Sequence, residues 1–345
     1  MLVVAPNWIG DALMAQPLLA ALRARLPAGG RIDVLAPPWV APVFARMPEV
    51  DDILPSPFRH GALEPGARWR LGRALAARGY DAAYVLPNTW KAALLPFFAG
   101  IPRRIGYLGE ARYGLLNQLH RKPRNTDDRA PMSAHYARLA AEPGAPLPPL
   151  AAPRLVVDPA VARANAQAFG FAPVRNAVLC PGAEYGPAKR WPAERFGALA
   201  KALAARGFSV HLLGAAGERA LCDAVVAASD GAARSHAGRT QLGQAIDLVA
   251  RADLVVSNDS GLMHVAAALG VPQVALFGSS SPEHTPPQSA AARVVWLKPE
   301  CSPCFARECP LGHFRCMLEL TVERVLEEIG RCGVLPSGAS PGTNA

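Results

Sequence analysis

Ser257-Asn258-Asp259-Ser260-Gly261-Leu262-Met263-His264-Val265-Ala266-Ala267-Ala268-Leu269-Gly270 is the stretch whose reading decides the fold. Just before it, Asp253-Leu254-Val255-Val256 has the branched apolar character of a short buried strand, without helical spacing. After the polar group, Leu262, Val265, Ala266 and Leu269 recur at helical spacing, and Gly270 with Pro272 ends the run. Asn258-Asp259-Ser260-Gly261 therefore occupies a strand-to-helix turn. Such a turn presents free backbone N–H groups at the positive end of a helix, and in an open α/β sheet it is where a phosphate lands. Helix capping by Asp or Ser accounts for the same residues without a ligand.

Working outward, the pattern repeats. Leu2–Ala5 reads as a buried strand, followed by the loop Pro6-Asn7-Trp8-Ile9-Gly10-Asp11. A helix is expected from Ala12 to Leu26, with Leu13, Leu18, Leu19 and Leu22 inward, then strands at Ile32–Ala36, Ile53-Leu54 and Ala82–Leu86. A helix ending at Gly79 precedes the last of these, and the basic segment 101–124 reads as loop-rich. Between residues 142 and 159, Pro143, Pro146, Pro148, Pro149, Pro153 and Pro159 resist helix and strand alike, which marks a linker. The second half reads as strands Ala177–Cys180, Ser209–Leu213 and Gln273–Phe277, with helices Pro192–Arg206, Glu218–Ala228, Gln241–Ala250 and Thr321–Arg331. The alternation predicts two Rossmann-like, doubly wound parallel-sheet α/β domains facing a cleft, at 1–155 and 156–333, with a disordered tail over 334–345.

The 345 residues suffice for two full cores, and 51% hydrophobic against 18% charged residues describes a globular chain. No apolar run approaches the ~20 residues of a membrane span. The first residues, with Asp11 where a signal's apolar core would fall, read as a strand and place the protein in the cytoplasm. A net charge of +9 suits an anionic partner. Basic and aromatic residues do not interleave as on single-strand binders, and no nucleic-acid module is recognisable, so a small anion or a lipid headgroup is the expected partner.

Three strand ends carry the candidate chemistry. Asp11, at the start of the first helix, is either a general base aimed at the ligand crevice or an N-cap. The loop Pro181-Gly182-Ala183-Glu184-Tyr185-Gly186-Pro187-Ala188-Lys189-Arg190-Trp191-Pro192 delivers two cations to a helix N-terminus, where they repel the dipole unless an anion binds. Lys189, Arg190 and the Asp259-Ser260-Gly261 turn could thus grip one diphosphate. Gly214-Ala215-Ala216-Gly217-Glu218 is not a dinucleotide fingerprint; its Glu218 either meets a ribose hydroxyl or simply starts a helix. His264, one turn into its helix, either contacts phosphate or packs beneath the turn. No D-x-D pair occurs, so diphosphate charge falls to Lys189, Arg190 and helix N-termini. Cys301, Cys304, Cys309 and Cys316, with His313 between them, have the density of a structural metal site, with an iron–sulfur cluster or free thiols as alternatives.

Together these residues resemble a known family. Asn7-Trp8-Ile9-Gly10-Asp11, the 181–192 loop and Asn258-Asp259-Ser260-Gly261-Leu262-Met263-His264-Val265-Ala266 are similar to the ADP-heptose:lipopolysaccharide heptosyltransferases, glycosyltransferase family 9. Met47-Pro48-Glu49-Val50, Tyr84-Val85-Leu86-Pro87-Asn88 and Arg112-Tyr113-Gly114-Leu115-Leu116-Asn117 agree, and the likeness runs from the first strand to about Val294. It is nearest to the branch that adds the second core heptose. The resemblance implies a GT-B enzyme that moves L-glycero-D-manno-heptose from ADP-heptose, with inversion, to the first heptose of the inner core on Kdo-lipid A. It places the catalytic base on Asp11 and the phosphate-contacting lysine on Lys189. Donor contacts fall on Gly182, Arg190, Glu218, Asp259, Ser260, Gly261 and His264. The anionic lipid A core would meet Arg103, Arg104, Arg112, Arg121 and Lys122, with Asn7 and Trp8 beside the base, and the enzyme would sit peripherally at the inner membrane. No cofactor is expected for the chemistry, nucleic acid is not an expected partner, and the oligomeric state is left open.

Rivals remain at this stage. Another member of the family with a different acceptor shares the donor motifs. A nucleotide-binding oxidoreductase shares the fold class, and the missing G-x-G-x-x-G counts against it.

Overall fold

The computed structural model describes residues 1–58, 61–121 and 130–335. The chain divides into two compact units, Met1–Val156 and a second beginning at Val157. In the first unit, strands β1 (Leu2–Val4), β2 (Asp33–Ala36), β3 (Asp52–Pro55), β4 (Ala82–Val85), β5 (Arg103–Tyr107) and β6 (Gln118–His120) form one sheet in the order β3-β2-β1-β4-β5-β6. In the second, β7 (Asn176–Cys180), β8 (Ser209–Leu212), β9 (Ala233–Ser235), β10 (Leu254–Asn258), β11 (Gln273–Phe277) and β12 (Ala292–Trp296) run β12-β11-β10-β7-β8-β9. Every pairing is parallel. Numbered from its own first strand, each sheet has the same winding. Strand order therefore reverses between β1 and β4 in one unit and between β7 and β10 in the other, and in such sheets ligands bind beyond the carboxyl ends at this point.

The central strands β1, β2, β4, β7, β10 and β11 are buried at every residue, as parallel strands covered on both faces must be. In the second unit, Leu179, Phe196, Leu199, Val256, Leu276 and Ile329 share one core. In the first, Leu2, Leu35, Leu54, Leu75 and Leu95 do the same.

Three sequence expectations need correcting. The long first helix is two helices, Ile9–Met14 and Gln16–Arg23, because Pro17 lacks the N–H that would continue the ladder. Its inward leucines are nonetheless all buried. The segment 101–124 is not mainly loop, since it contributes β5 and β6. Finally, the tail is tied down at its start: the Val334 carbonyl accepts from Arg175 Nη1 at 2.8 Å, and Leu335 packs on the core. Residues 336–345 of the expected tail lie outside the described residues.

Beside β8, His211 Nδ1 lies 3.0 Å from His236 Nε2, and the rings stack with centroids 5.3 Å apart. Ser209 Oγ closes the far side of His211 at 2.9 Å, and Phe171 stacks on it. Burial, reinforced for His211 by His236 and Arg234, pushes both imidazoles down to about 4. Burial also brings His264 to about 4, outweighing the opposing pull of Asp259. In the unfolded chain these groups titrate near their ordinary ~6.5, so between ~6.5 and ~4 the unfolded state binds more protons. Stability is therefore complete above the upper bound and is lost as pH falls through this window, at up to about 1.4 kcal/mol per pH unit for each group. Urea midpoints measured at pH 7.5 and 5.0 should show a clear drop at the lower pH, and equal midpoints would contradict it. Among the described residues, no helix is long and apolar enough to cross a membrane.

Candidate active site

In the first unit, β1 ends at Val4 and the chain enters the helix Ile9–Met14 through Asn7 and Trp8. The N-cap position is Trp8, with φ −109° and ψ 141°, and no side chain caps the helix. Asp11 therefore does not cap its helix. Instead Asp11 Oδ1 accepts the hydroxyl of Tyr136 at 3.2 Å. Burial, and then the charge of Asp11, hold the Tyr136 hydroxyl well above its ordinary pKa, so it stays a proton donor to the carboxylate. A carboxylate oriented by one phenol at the carboxyl edge of a parallel sheet is placed to take a proton.

The arginines expected beside it divide. Arg112 is fully buried: Nη1 donates to the Pro87 carbonyl at 2.8 Å, and Nη2 to Asn88 Oδ1 at 3.1 Å and to the Tyr107 carbonyl. It braces loops and presents nothing to a ligand. Arg104 donates to the carbonyls of Ile101, Gly114 and Leu115 and is likewise a brace. Arg103 pairs in register with Ala82, at the amino end of the strands, so both Arg103 and Arg104 sit at the sheet edge opposite Asp11. The expectation of an acceptor-facing cluster is corrected on these three positions. Their nearness in sequence concealed the direction of the strand. Arg121 is exposed just beyond the carboxyl end of β6, and Lys122 lies outside the described residues.

In the second unit, Lys189 Nζ meets Asp259 Oδ2 at 2.5 Å, with side-chain exposures of only 16% and 5%. Thr285 Oγ1 approaches the same carboxylate at 3.4 Å, and the Tyr185 ring lies 5.1 Å from the ammonium. Ser260 occupies the N-cap of the helix Gly261–Ala268 without capping it through its side chain, its Oγ lying instead 3.1 Å from Ser257 Oγ. The first N–H groups of that helix thus remain available to an anion, and its positive end faces the same turn. His264 is buried one turn further on. Arg190 folds back, its Nε and Nη2 donating to the Ala183 carbonyl at 3.3 and 3.1 Å. Glu218 Oε2 accepts from the Ala215 N–H at 2.8 Å, and its carboxylate lies against Gly182. A Cβ on Gly182 would fall 1.9 Å from Glu218 Oε1, so only glycine admits the two together.

Asn258, in the quoted stretch but not among the expected site residues, is what joins these pieces. Wholly buried at the end of β10, its Oδ1 accepts from the Trp191 N–H at 3.2 Å and its Nδ2 donates to the Pro181 carbonyl at 2.7 Å. One side chain thus ties both ends of the 181–191 loop beside Asp259. Trp191, also fully buried, anchors the loop with its indole N–H on the Leu320 carbonyl at 2.8 Å. Asn258→Ala should destabilise the fold by about 1–3 kcal/mol, because a buried N–H and a carbonyl lose their partners. It should also raise the KM for the donor while leaving that for the acceptor unchanged, a split that a purely structural role would not give.

Cys301, Cys304, Cys309 and Cys316 line one small cavity with His313 and Ala188. Among the described residues, however, no group of three or more His, Cys, Asp or Glu is arranged to hold a metal ion, so the expected structural metal or cluster is unsupported there. Cys309 Sγ accepts the Phe314 N–H at 3.4 Å and lies 4.0 Å from His313 Nδ1. What the segment visibly does is brace the lysine loop. The Arg307 carbonyl accepts from the Ala188 N–H at 3.1 Å, and the Phe305 carbonyl from the Tyr185 hydroxyl at 2.8 Å.

The profile of glycosyltransferase family 9 (heptosyltransferase) matches residues 68–315. The chain is 44% identical to lipopolysaccharide heptosyltransferase 2 of Escherichia coli over 341 residues, which cover 95% of this chain and 97% of the relative. It is 39% identical to lipooligosaccharide heptosyltransferase 2 of Haemophilus influenzae over 344 residues, 95% and 97% of the two chains. The structure of Escherichia coli ADP-heptose lps heptosyltransferase II superposes with a TM-score of 0.84 at 41% identity, covering 96% of this chain and 97% of that one. Two six-stranded parallel sheets with identical winding are the GT-B pattern, and this chain belongs to glycosyltransferase family 9, the heptosyltransferases.

Proposed function

We propose that this enzyme transfers L-glycero-D-manno-heptose from ADP-heptose to the first heptose of the lipopolysaccharide inner core, with inversion at the anomeric carbon. The first unit takes the acceptor and the second takes the donor. The observation that carries the reading is the sequestered Lys189–Asp259 pair before the uncapped helix Gly261–Ala268. A cation and a helix N-terminus converging on one turn form a site for a diphosphate.

Asp11 removes the proton from the acceptor hydroxyl as that oxygen forms its bond to the anomeric carbon. The bond from that carbon to the donor phosphate breaks, and its electron pair leaves on ADP. Tyr136 steadies the Asp11 carboxylate through its hydroxyl. Lys189 and the N–H groups at Gly261 meet the charge that grows on the departing diphosphate, and electrostatic stabilisation of this kind is commonly the largest single contribution. Glu218, seated on Gly182, supplies an acceptor for a ribose hydroxyl. A net charge of +9 with Arg121 exposed suits peripheral attachment to an anionic inner leaflet, where a lipid-linked acceptor resides.

What supports this acceptor is that the relatives named above, each called heptosyltransferase 2, match over nearly the whole chain. The test pairs two acceptors, Kdo-lipid A bearing one heptose and the same molecule bearing none, with ADP-heptose as donor. Heptose added only to the first is the expected result. Addition to the bare Kdo core would reassign the enzyme to the preceding transfer.

A further inference from the structure

The carboxyl edge of the first sheet holds a cavity of about 190 Å³ at the reversal of strand order. Ala5, Pro37, Ser56 and Pro87, the residues just past β1, β2, β3 and β4, all line it. Two cations stand in its wall and, among the described residues, no carboxylate does. Arg68 is 6% exposed and is held rigidly: Nε donates to the Leu63 carbonyl at 2.5 Å, Nη1 to Lys91 at 3.2 Å and Nη2 to Ala62 at 3.1 Å, while Phe58 lies under the guanidinium. Lys91 Nζ rests on the Gly61 carbonyl at 2.7 Å, a neutral partner that leaves its charge uncompensated there. Both cations sit in a recess with a low-dielectric wall, which concentrates their field on whatever enters.

Three tryptophans border the same recess. Trp8 follows the lining residue Asn7, Trp90 stands between the lining residues Thr89 and Lys91, and Trp39 donates its indole N–H to the Asn7 carbonyl at 2.9 Å. They are 48%, 38% and 48% exposed, although aromatic rings of this size are ordinarily far more buried. Trp39 is fixed by its hydrogen bond and still faces solvent. Exposed flat apolar rings beside a polar, cationic recess match a sugar, whose C–H face packs on an aromatic ring while its charged substituent reaches a cation. Asp11 lies one helical turn beyond Trp8.

We infer that this cavity binds an anionic sugar unit of the acceptor, with Lys91 on its carboxylate or phosphate and Trp39 and Trp90 against its ring. The inference rests on the acceptor reading above and adds to it the anchoring residues and the required charge. Lys91, Trp39 and Trp90 are positioning residues, removed from the bond that forms.

The test measures saccharide binding by calorimetry on the full chain, apart from catalysis. The probes are a deacylated inner-core saccharide carrying Kdo carboxylates and heptose phosphate, the same saccharide with its carboxyls reduced, and the same saccharide dephosphorylated. Lys91→Gln should weaken binding of the intact probe about tenfold, the ratio that one charge-assisted hydrogen bond carries. Lys91→Arg should restore most of it. Trp39→Ala should cost a similar factor, about tenfold, as exposed aromatic anchors do. ADP binding should not change in any variant. Loss on carboxyl reduction identifies the carboxylate as the anchored group, and loss on dephosphorylation identifies the phosphate. Affinity within twofold of wild type for both Lys91→Gln and Trp39→Ala, or indifference to both chemical changes, overturns the inference. Heptose transfer is scored separately: if no acceptor is glycosylated while Lys91-dependent binding persists, the proposed function fails and the anionic-sugar site stands.

Discussion

Asp11→Asn should lower the transfer rate by about 10²–10⁴-fold, the range that general-base assistance supplies. The substitution is nearly isosteric and keeps an oxygen to accept the Tyr136 hydroxyl, whose present distance is 3.2 Å. It should therefore leave the fold alone. The helix supports the same expectation, because its cap position is Trp8 and the Asp11 side chain does no capping. What disappears is the only change that matters to the chemistry, a carboxylate able to carry away the proton of the attacking hydroxyl. ADP-heptose affinity should stay at the wild-type value, since the donor groups lie on the second unit's turns. Tyr136→Phe is a graded companion. It removes the phenol that orients the carboxylate and should reduce the rate by less than the loss of the base itself. Single-turnover rates at saturating donor, with donor affinity from calorimetry, separate these effects. A rate for Asp11→Asn within tenfold of wild type would remove Asp11 from the role of base.

Local chemistry made the quoted stretch legible. The run Leu254–Asn258 and the helical recurrence of Leu262, Val265, Ala266 and Leu269 each sit within a few residues, and both elements form where the pattern places them. β5 was hidden by its own composition, because Arg103, Arg104 and Gly106 depress a strand signal. Gly106 is there for packing: a Cβ would lie 2.9 Å from Leu116 Cδ1 and 3.0 Å from the Val85 carbonyl. Direction was hidden as well. Residues 103 to 124 look like one basic patch in sequence, whereas β5 carries Arg103 and Arg104 to the amino edge and the chain returns Arg121 to the carboxyl edge. The partners of the site residues were illegible for a different reason. Tyr136 meets Asp11 from 125 positions away, and Thr285 reaches Asp259 from 26 positions away. No periodicity encodes such contacts, since they come from tertiary packing. Asn258 is the instructive miss. It was in plain view, but its value lies in two backbone groups that only the folded loop brings to it.

Lys189→Met should reduce transfer by about 10²–10³-fold, the loss found when one group stabilising developing charge is removed. The same change should also destabilise the second unit, and the two effects need to be separated. Asp259 is 5% exposed at its side chain and would keep only the Thr285 hydroxyl at 3.4 Å, so a buried charge would lose its counter-ion. Breaking such a pair from one side costs on the order of 3 kcal/mol. The double variant Lys189→Met with Asp259→Asn resolves the ambiguity. Removing both charges leaves no uncompensated carboxylate, so stability should recover toward wild type. Activity should not recover, because the cation facing the departing diphosphate is still missing. Thermal midpoints and kcat measured on the same three proteins give the answer. If activity returned along with stability in the double variant, Lys189 would serve only to neutralise Asp259, and the charge on departing ADP would have to be met by the N–H groups at the start of the helix Gly261–Ala268 alone.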